Sequence, residues 1–287
     1  MMSFRINLIF LFCLVFVSGR AFAQDSGIRL GNEIPPEVDT IYERGLTYLS
    51  RTQSEDGTWR SRSEHGITGI CLMAFLASGE DPNFGAHSQN IKRAIRAIIT
   101  GQEKESGFLP NSMYHHGFAM LALAEAYGVV DEATLWDGSE GDKEKQSIAR
   151  TLELAIELAV KAQQANRWGG WRYAPNSTDA DTSVTGAVLM GLLACRNAGL
   201  AVPDAVIESS LTYMQRNTAS SGFVAYSGGI GGGGESMARS AVASRNGPSS
   251  PARTASVRRT GGASRPSDPA RARSRLRWRS GAAPRRA

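Results

Sequence analysis

Two kinds of hydrophobic pattern alternate along the chain. The first kind is amphipathic. In 148–163 the apolar residues Leu152, Ile156 and Val160 recur at helical spacing, while charged residues occupy another face. Each run of this kind predicts a helix with one face exposed to water. Comparable runs cover 41–53, 91–102 and 207–215.

The second kind of run is uncharged and rich in small residues, and it covers 66–79, 117–128 and 185–199. These runs are apolar nearly all round, which predicts helices that are buried on most sides. At about 14 residues they are too short to cross a membrane. Glycines fall at equivalent places in them, and a missing side chain lets neighbouring backbones approach closely. These glycines are Gly69, Gly117 and Gly186.

The alternation defines four repeats, and such self-similarity indicates one supersecondary unit used several times. No window shows sustained alternation with period two, which excludes a parallel sheet. The sequence therefore predicts an all-α fold of helical-hairpin repeats, with amphipathic outer helices around buried inner ones. We interpret the charged, glycine-rich stretch 132–145 as a solvated insertion. The repeats are 41–90, 91–147, 148–206 and 207–243.

A glycine–aromatic turn follows the amphipathic run of each repeat. In the first repeat, Gln53 precedes Gly57 and Trp59. Glycine can take the positive φ that closes a tight turn. A glutamine amide can satisfy free carbonyls at a helix end, and tryptophan has a large apolar face with a polar edge. We therefore expect Gln53 and Trp59 to fasten one helix end to the start of the next.

This motif resembles the QW motif of the squalene–hopene cyclase and prenyltransferase superfamily. The third repeat, with Gln163, Gly169 and Trp171, resembles it less closely, and Phe108 and Phe223 take the aromatic place in the other two. The resemblance covers about residues 35–243. The first repeat reads Arg44-Gly45-x-x-Tyr48-Leu49-x-x-x-Gln53-x-x-x-Gly57-x-Trp59.

The stretches 113–128 and 181–186 narrow the resemblance to secreted prenyltransferase/squalene-oxidase-repeat proteins of planctomycete-type bacteria, a subgroup without an agreed activity. The superfamily resemblance implies an (α/α) toroid in which the inner helices line a central cavity. A closed toroid of this kind needs about five or six helix pairs, whereas the repeats give about three and a half. We therefore expect an incomplete, open arc over residues 24–243.

The two ends of the chain differ from this domain. Residues 1–23 have the charged start, short apolar core and Ala21-Phe22-Ala23 cleavage site of a secretory signal peptide. The apolar run is short for a membrane anchor, so the mature chain is expected to begin at Gln24 without a transmembrane segment. We expect an exported protein, located in the periplasm or outside the cell.

Residues 244–287 contain twelve arginines, no lysine and one acidic residue, Asp268. The formal charge of +5 combines +2 in 1–23, −8 in 24–243 and +11 in 244–287, so the repeat domain itself is acidic. A basic arm, a disordered linker and an out-of-frame translation compete as explanations of this tail, which lacks apolar periodicity. We favour a frameshift near Ser244, because Arg, Ala, Pro and Gly come from GC-rich codons in any frame. No nucleic-acid partner is expected.

The most suggestive chemistry is at Asp179 and Asp181, just before the third inner run. In squalene–hopene cyclases, which this chain resembles, an Asp-x-Asp-Asp-Thr motif starts an inner helix and its central acid protonates the substrate alkene. Here Thr182 stands in place of the last Asp, which weakens the catalytic interpretation. We favour an N-cap formed by Asp181, Thr182 or Ser183, since these residue types accept free helix N–H groups.

Residues at the starts of the inner helices are expected to line one mouth of the arc. Adjacent histidines point to different faces of a helix and have no partner at ligand spacing, which favours a structural role over a metal site. The aromatic residues of the third turn, which include Trp171 and Tyr173, could stack on a sugar or peptide. Packing within the repeat explains them better. The cavity-lining candidates are His65, Tyr114, His115, His116, Trp171 and Tyr173.

No metal or cofactor is expected. Cys71 and Cys195 lie within apolar runs, where cysteine usually behaves as a small hydrophobic residue. The zinc-ligand setting of protein prenyltransferases and the Gly-Cys-Gly-Glu-Gln thioester of complement-like toroids are both absent from the sequence. The glycine run 228–234 lacks the Lys-Ser/Thr pair of a phosphate loop.

Three functions stay open. The favoured one is a non-catalytic exported binding or scaffold protein for a peptide, glycan or lipid. The second is a terpenoid-cyclase-like enzyme acting on a polyprenyl substrate, which export and the short chain disfavour. The third is a polysaccharide lyase, for which Asn111, Tyr114 and His115 supply a loose match and fold-level analogy a weak argument.

Overall fold

The computed structural model describes residues 35–60, 64–137 and 145–227, and within these ranges the chain forms seven α-helices and no strand. The all-α prediction is therefore confirmed for this part of the chain. The helices are α1 (Pro36–Thr52), α2 (His65–Leu76), α3 (Ser88–Gly101), α4 (Met113–Ala126), α5 (Ile148–Gln164), α6 (Thr182–Asn197) and α7 (Asp204–Arg216).

Several sequence predictions concern residues outside these ranges. They are the signal peptide at 1–23, the glycine run at 228–234, the end of the fourth repeat and the arginine-rich tail at 244–287. Within the described part, no helix is both long and apolar enough to cross a lipid bilayer.

The odd-numbered helices are amphipathic and the even-numbered ones are apolar on most sides. In α5 the buried residues Leu152, Ile156 and Ala159 follow helical spacing, with exposed Glu153 and Glu157 between them. In α6, by contrast, eleven of sixteen residues are buried. A fully buried Leu or Ile side chain contributes about 2 kcal/mol relative to an exposed one, and both sets of helices supply such residues to the core.

The even-numbered helices pack against one another in a row. Helix α4 lies in the middle and contacts α2 on one side and α6 on the other. Each odd-numbered helix contacts the even-numbered helices next to it in the chain: α1 packs on α2, α3 on α2, α5 on α4 and α6, and α7 on α6. Consecutive repeats therefore meet through α2, α4 and α6.

Glycines bring the backbones of this row into contact. A Cβ atom built on Gly69 of α2 would lie 2.8 Å from the carbonyl oxygen of Phe118 in α4. One built on Gly117 of α4 would lie 2.6 Å from the carbonyl carbon of Ala187 in α6. Real Cβ atoms do not approach backbone so closely, so each helix pair depends on the missing side chain.

Glutamine side chains connect each odd-numbered helix to the next one. The amide of Gln53, at the end of α1, donates to Gly57 O in its own turn and to Asn90 O in α3, both at 3.0 Å. Gln102 donates in the same way to Gly107 O and to Thr151 O in α5, both at 2.9 Å. Gln163 completes the series with Gly169 O at 2.8 Å, Val206 O at 3.0 Å and Ser210 Oγ at 2.9 Å.

The aromatic residue of each turn packs back onto its own repeat. The indole N–H of Trp59 donates to Leu49 O, and that of Trp171 donates to Ala159 O, both at 2.8 Å. Both acceptors lie four residues before the glutamine of the same repeat. These contacts give the QW-type residues structural roles at the helix junctions, where they fix the turns that carry the candidate site.

Candidate functional site

The N-terminal ends of α4 and α6 meet the third and fourth turns at one place. Backbone hydrogen bonds hold this junction: the N–H of Met113 donates to Tyr173 O at 2.8 Å, and the N–H of Thr182 donates to Tyr226 O at 2.9 Å. Since both turns are tied directly to helix starts, the side chains beside these bonds are fixed relative to each other.

Three tyrosines, one arginine and one aspartate form a connected surface at this junction. The Arg172 guanidinium carbon lies 5.9 Å from the ring centre of Tyr173 and 5.5 Å from that of Tyr226. The two tyrosine hydroxyls are 3.1 Å apart, and Arg172 also pairs with Asp179 at 3.3 Å. Tyr114 at the start of α4 completes the set, which we call the tyrosine cluster: Tyr114, Arg172, Tyr173, Asp179 and Tyr226.

The tyrosines of this cluster differ in their exposure to solvent, and Tyr226 is half-buried. Tyr173 is 50% exposed and Tyr114 is 37% exposed. The hydrogen bond with Tyr173, together with burial, raises the pKa of Tyr226 to about 12. Burial also raises the pKa of Tyr114, assisted by the negative charge of Asp181. The phenols of Tyr114 and Tyr226 therefore keep their protons at physiological pH and can donate hydrogen bonds.

Asp181 forms the N-cap of α6, the role that we favoured from the sequence. Its Oδ1 accepts hydrogen bonds from the Val184 N–H and the Ser183 hydroxyl, both at 2.8 Å. The side chain is fully buried, and Oδ2 has no hydrogen-bond partner in the part of the chain that the structure describes. Asp179 instead lies at the surface beside Arg172, so the two aspartates do not act as a pair.

The adjacent histidines at the start of α4 have different surroundings. His116 is fully buried: its Nδ1 accepts from the Leu109 N–H at 3.1 Å, so Nε2 carries the proton and donates to Ala155 O at 3.0 Å. Its ring stacks on that of Phe108, whose side chain has no N–H group. His115 is half-buried, with Nδ1 3.2 Å from Ser112 Oγ. We had proposed both as cavity-lining residues, and the structure places His116 within the core.

His65 at the start of α2 is also buried, with its ring against Gly101. Neither ring nitrogen has a hydrogen-bond partner among the residues that the structure describes. Burial lowers the pKa of this histidine, as it lowers that of His115. Trp171 is 1% exposed, so its ring belongs to the core while the adjacent Arg172 and Tyr173 reach the surface.

We predict that acid destabilises this fold through His116 before carboxylates titrate. Burial lowers its pKa from 6.5 to about 4, so between these values the unfolded chain binds a proton that the folded chain does not. The free energy of unfolding is therefore highest above pH 6.5 and falls as the pH drops toward 4, because proton binding favours the unfolded chain. The loss from pH 6.5 to pH 5 is about 2 kcal/mol for one such group, measurable by urea unfolding.

The matched variant is His116→Gln, whose amide can donate and accept but does not titrate. It should be less stable at pH 7 and should show a smaller loss between pH 6.5 and 5, with His65 and His115 supplying the remainder. A wild-type stability that stays constant across this window would contradict the buried neutral His116.

The cysteines and acidic residues form no metal site within the described ranges. No group of three His, Cys, Asp or Glu side chains there is arranged to hold a metal ion. Cys71 and Cys195 are free thiols, and burial raises the pKa of Cys71 to about 11 and that of Cys195 to about 12. Both thiols are therefore protonated and unsuited to nucleophilic attack.

The sequence did not identify Tyr226 as part of this site. Tyr173 and Tyr226 both stand four residues after a turn glycine, Gly169 in the third repeat and Gly222 in the fourth. Aligning the repeats on these glycines would have paired the two tyrosines. Comparison of the chain with models of protein families, with curated proteins and with solved structures found no match.

Proposed function

We propose that this chain is an exported, non-catalytic binding protein of the (α/α) toroid type, and that its tyrosine cluster binds a glycan. The row of apolar helices, the flanking amphipathic helices and the repeated glutamine contacts support the toroid-type assignment. The pattern of residues 1–23 supports export. The resemblance to prenyltransferase/squalene-oxidase-repeat proteins supports both the toroid-type assignment and export.

One observation carries the binding proposal: an exposed tyrosine ring and a half-buried one, from two separate turns, are held in place by one arginine. Arg172 lies over both Tyr173 and Tyr226 and is itself fixed by Asp179. A surface that is ordered before binding loses little conformational entropy when a ligand arrives. Tyrosine rings offer an apolar face to the C–H groups of a sugar, and their hydroxyls offer hydrogen bonds to its polar edge.

The same geometry argues against acid–base chemistry at the surface. Asp179 is already paired with Arg172, and the two tyrosine hydroxyls face each other. A lyase that used Tyr114 as its base would require a lowered pKa, whereas burial raises it. His116 has both ring nitrogens engaged in the core.

We expect the Tyr173→Ala substitution to weaken glycan binding by about tenfold, because truncating a central aromatic contact typically costs more than 1 kcal/mol. The measurement is isothermal titration of the full chain against a panel of cello-, chito- and mannooligosaccharides. Tyr48→Ala is the matched control, since Tyr48 is also an exposed tyrosine and lies on α1, away from the cluster. The proposal fails if no oligosaccharide of the panel binds, or if both variants bind as the wild type does.

A terpenoid-cyclase-like enzyme is the second candidate, and the unpartnered Oδ2 of buried Asp181 favours it. A carboxylic acid in an apolar site can protonate an alkene if no neighbour holds its proton. Asp181→Asn keeps the cap, because the amide oxygen can accept the Val184 N–H. If wild type converts squalene to cyclic products and Asp181→Asn does not, the enzyme account replaces ours. If neither protein converts squalene, the cyclase function is rejected.

A further inference from the structure

The third turn departs from the first two at the positions just before its glycine. The first two turns carry an acidic residue followed by a short polar one, whereas the third carries an arginine followed by a tryptophan. Because the three turns occupy equivalent places in the repeats, a different requirement must act on the third. The pairs are Glu55-Asp56, Glu105-Ser106 and Arg167-Trp168.

The hydrogen bonds of the turn do not account for this departure. In the first two turns, Asp56 Oδ1 and Ser106 Oγ each accept a backbone N–H from two residues ahead, at 3.0 Å. In the third turn Asn166 takes this role: its Oδ1 accepts the Trp168 N–H at 2.9 Å, and its amide donates to Gly170 O at 3.0 Å. The side chains of Arg167 and Trp168 are therefore not needed for the hydrogen bond that closes the turn.

Both residues instead line a groove of about 400 Å³ between the third turn and α7. This volume falls in the range of small-molecule sites. On the helix side the lining residues recur at spacings of three and four, so they form one exposed face of α7. The polar and aromatic lining consists of Arg167, Trp168, Glu208, Ser209, Thr212 and Arg216.

Two guanidinium groups dominate the chemistry of this groove. The Arg167 guanidinium carbon lies 5.4 Å from the ring centre of Trp168, which orients it. Trp168 in turn packs against a small core cluster that includes Tyr213 and Met214. In the described ranges neither Arg167 nor Arg216 forms an ion pair, and Glu208 is the single acidic residue of the lining.

We propose that this groove binds an anionic sugar residue, one that carries a carboxylate or a sulfate, within a polysaccharide. Guanidinium groups bind planar carboxylates and sulfates through paired hydrogen bonds. The hydroxyls of Ser209 and Thr212 match sugar hydroxyls, and Trp168 supplies an apolar flank. This site goes beyond the proposed function, since it shares no residue with the tyrosine cluster.

Isothermal titration of the full chain tests this site, with oligogalacturonates and sulfated carrageenan oligosaccharides as anionic probes and galactooligosaccharides as the neutral one. The anionic probes should bind, and Arg216→Gln should weaken their binding by about tenfold through loss of a charge-assisted hydrogen bond. Lys161→Gln is the control, because Lys161 is an exposed cation in the last turn of α5 and lies outside the groove. It should leave binding unchanged.

Arg167→Glu restores the acidic residue that the first two turns carry, so the fold is expected to accept it. This variant should also weaken anionic binding by about tenfold or more, whereas Lys161→Gln should not. Equal binding of neutral and anionic oligosaccharides would overturn the proposal, as would an equal loss in Lys161→Gln. Binding to phosphatidylglycerol vesicles without binding to any oligosaccharide would also overturn it and indicate a lipid headgroup.

Discussion

Replacing Gly117 by alanine is expected to destabilise the protein by about 3 kcal/mol, because overpacking against backbone leaves little room to relax. The new methyl group would lie 2.6 Å from the carbonyl carbon of Ala187 and 2.7 Å from the N of Val188. Both atoms belong to α6, so α4 and α6 would have to separate along the middle of the row. Urea unfolding monitored by circular dichroism measures the change.

Gly45→Ala is the matched control. Gly45 also lies inside a helix, α1, but nothing lies within 4 Å of a Cβ atom built there. Alanine should stabilise the protein there by about 0.5–1 kcal/mol, since it lowers the backbone entropy lost on folding. If Gly117→Ala is as well tolerated as Gly45→Ala, the close contact of α4 with α6 is wrong.

Gln163→Ala should cost about 3 kcal/mol, because buried carbonyl groups that lose their donor carry a full desolvation penalty. The Gln163 amide donates to three acceptors, Gly169 O, Val206 O and Ser210 Oγ, and is 5% exposed. Its removal would detach the end of α5 from the start of α7. The loss should appear in the free energy of unfolding and in faster proteolysis near the third turn.

The neighbouring glutamine provides the comparison. Gln164 is the next residue of α5 and is exposed. Gln164→Ala should change the free energy of unfolding by less than about 0.5 kcal/mol, as is usual for surface positions. Similar losses for the two substitutions would show that Gln163 does not link successive repeats.

The spacing of apolar residues predicted the helices well, because a helix that is buried on one face or on all faces has a characteristic hydrophobic pattern. It placed α5 at 148–163, and the structure has Ile148–Gln164. It placed the apolar run of α4 at 117–128, whereas the helix begins four residues earlier, at Met113. The difference arises because the Ser112 cap and the first turn of α4 are not uniformly apolar. Capping chemistry, and not hydrophobicity, fixes that end.

The candidate site was predicted less completely, because it depends on contacts between repeats. Asp181 was predicted from its position at a helix start, and Tyr173 from the aromatic residues of the third turn. The meeting of Tyr173 with Tyr226 joins residues 53 apart in the chain, and single-sequence patterns do not specify such pairs. The unpartnered Oδ2 of Asp181 likewise depends on the packing of neighbouring turns around it. The Arg167–Trp168 groove also depends on the packing of the third turn against α7.

The central claim is that the junction of α4 and α6 binds a glycan without transforming it. The most direct measurement incubates the full chain with the oligosaccharide panel and records, in the same samples, the heat of binding and the mass of each recovered sugar. We predict saturable binding of at least one oligosaccharide, weakened by Tyr173→Ala, with every mass unchanged. Cleaved or unsaturated products, or the absence of binding throughout the panel, would contradict the account.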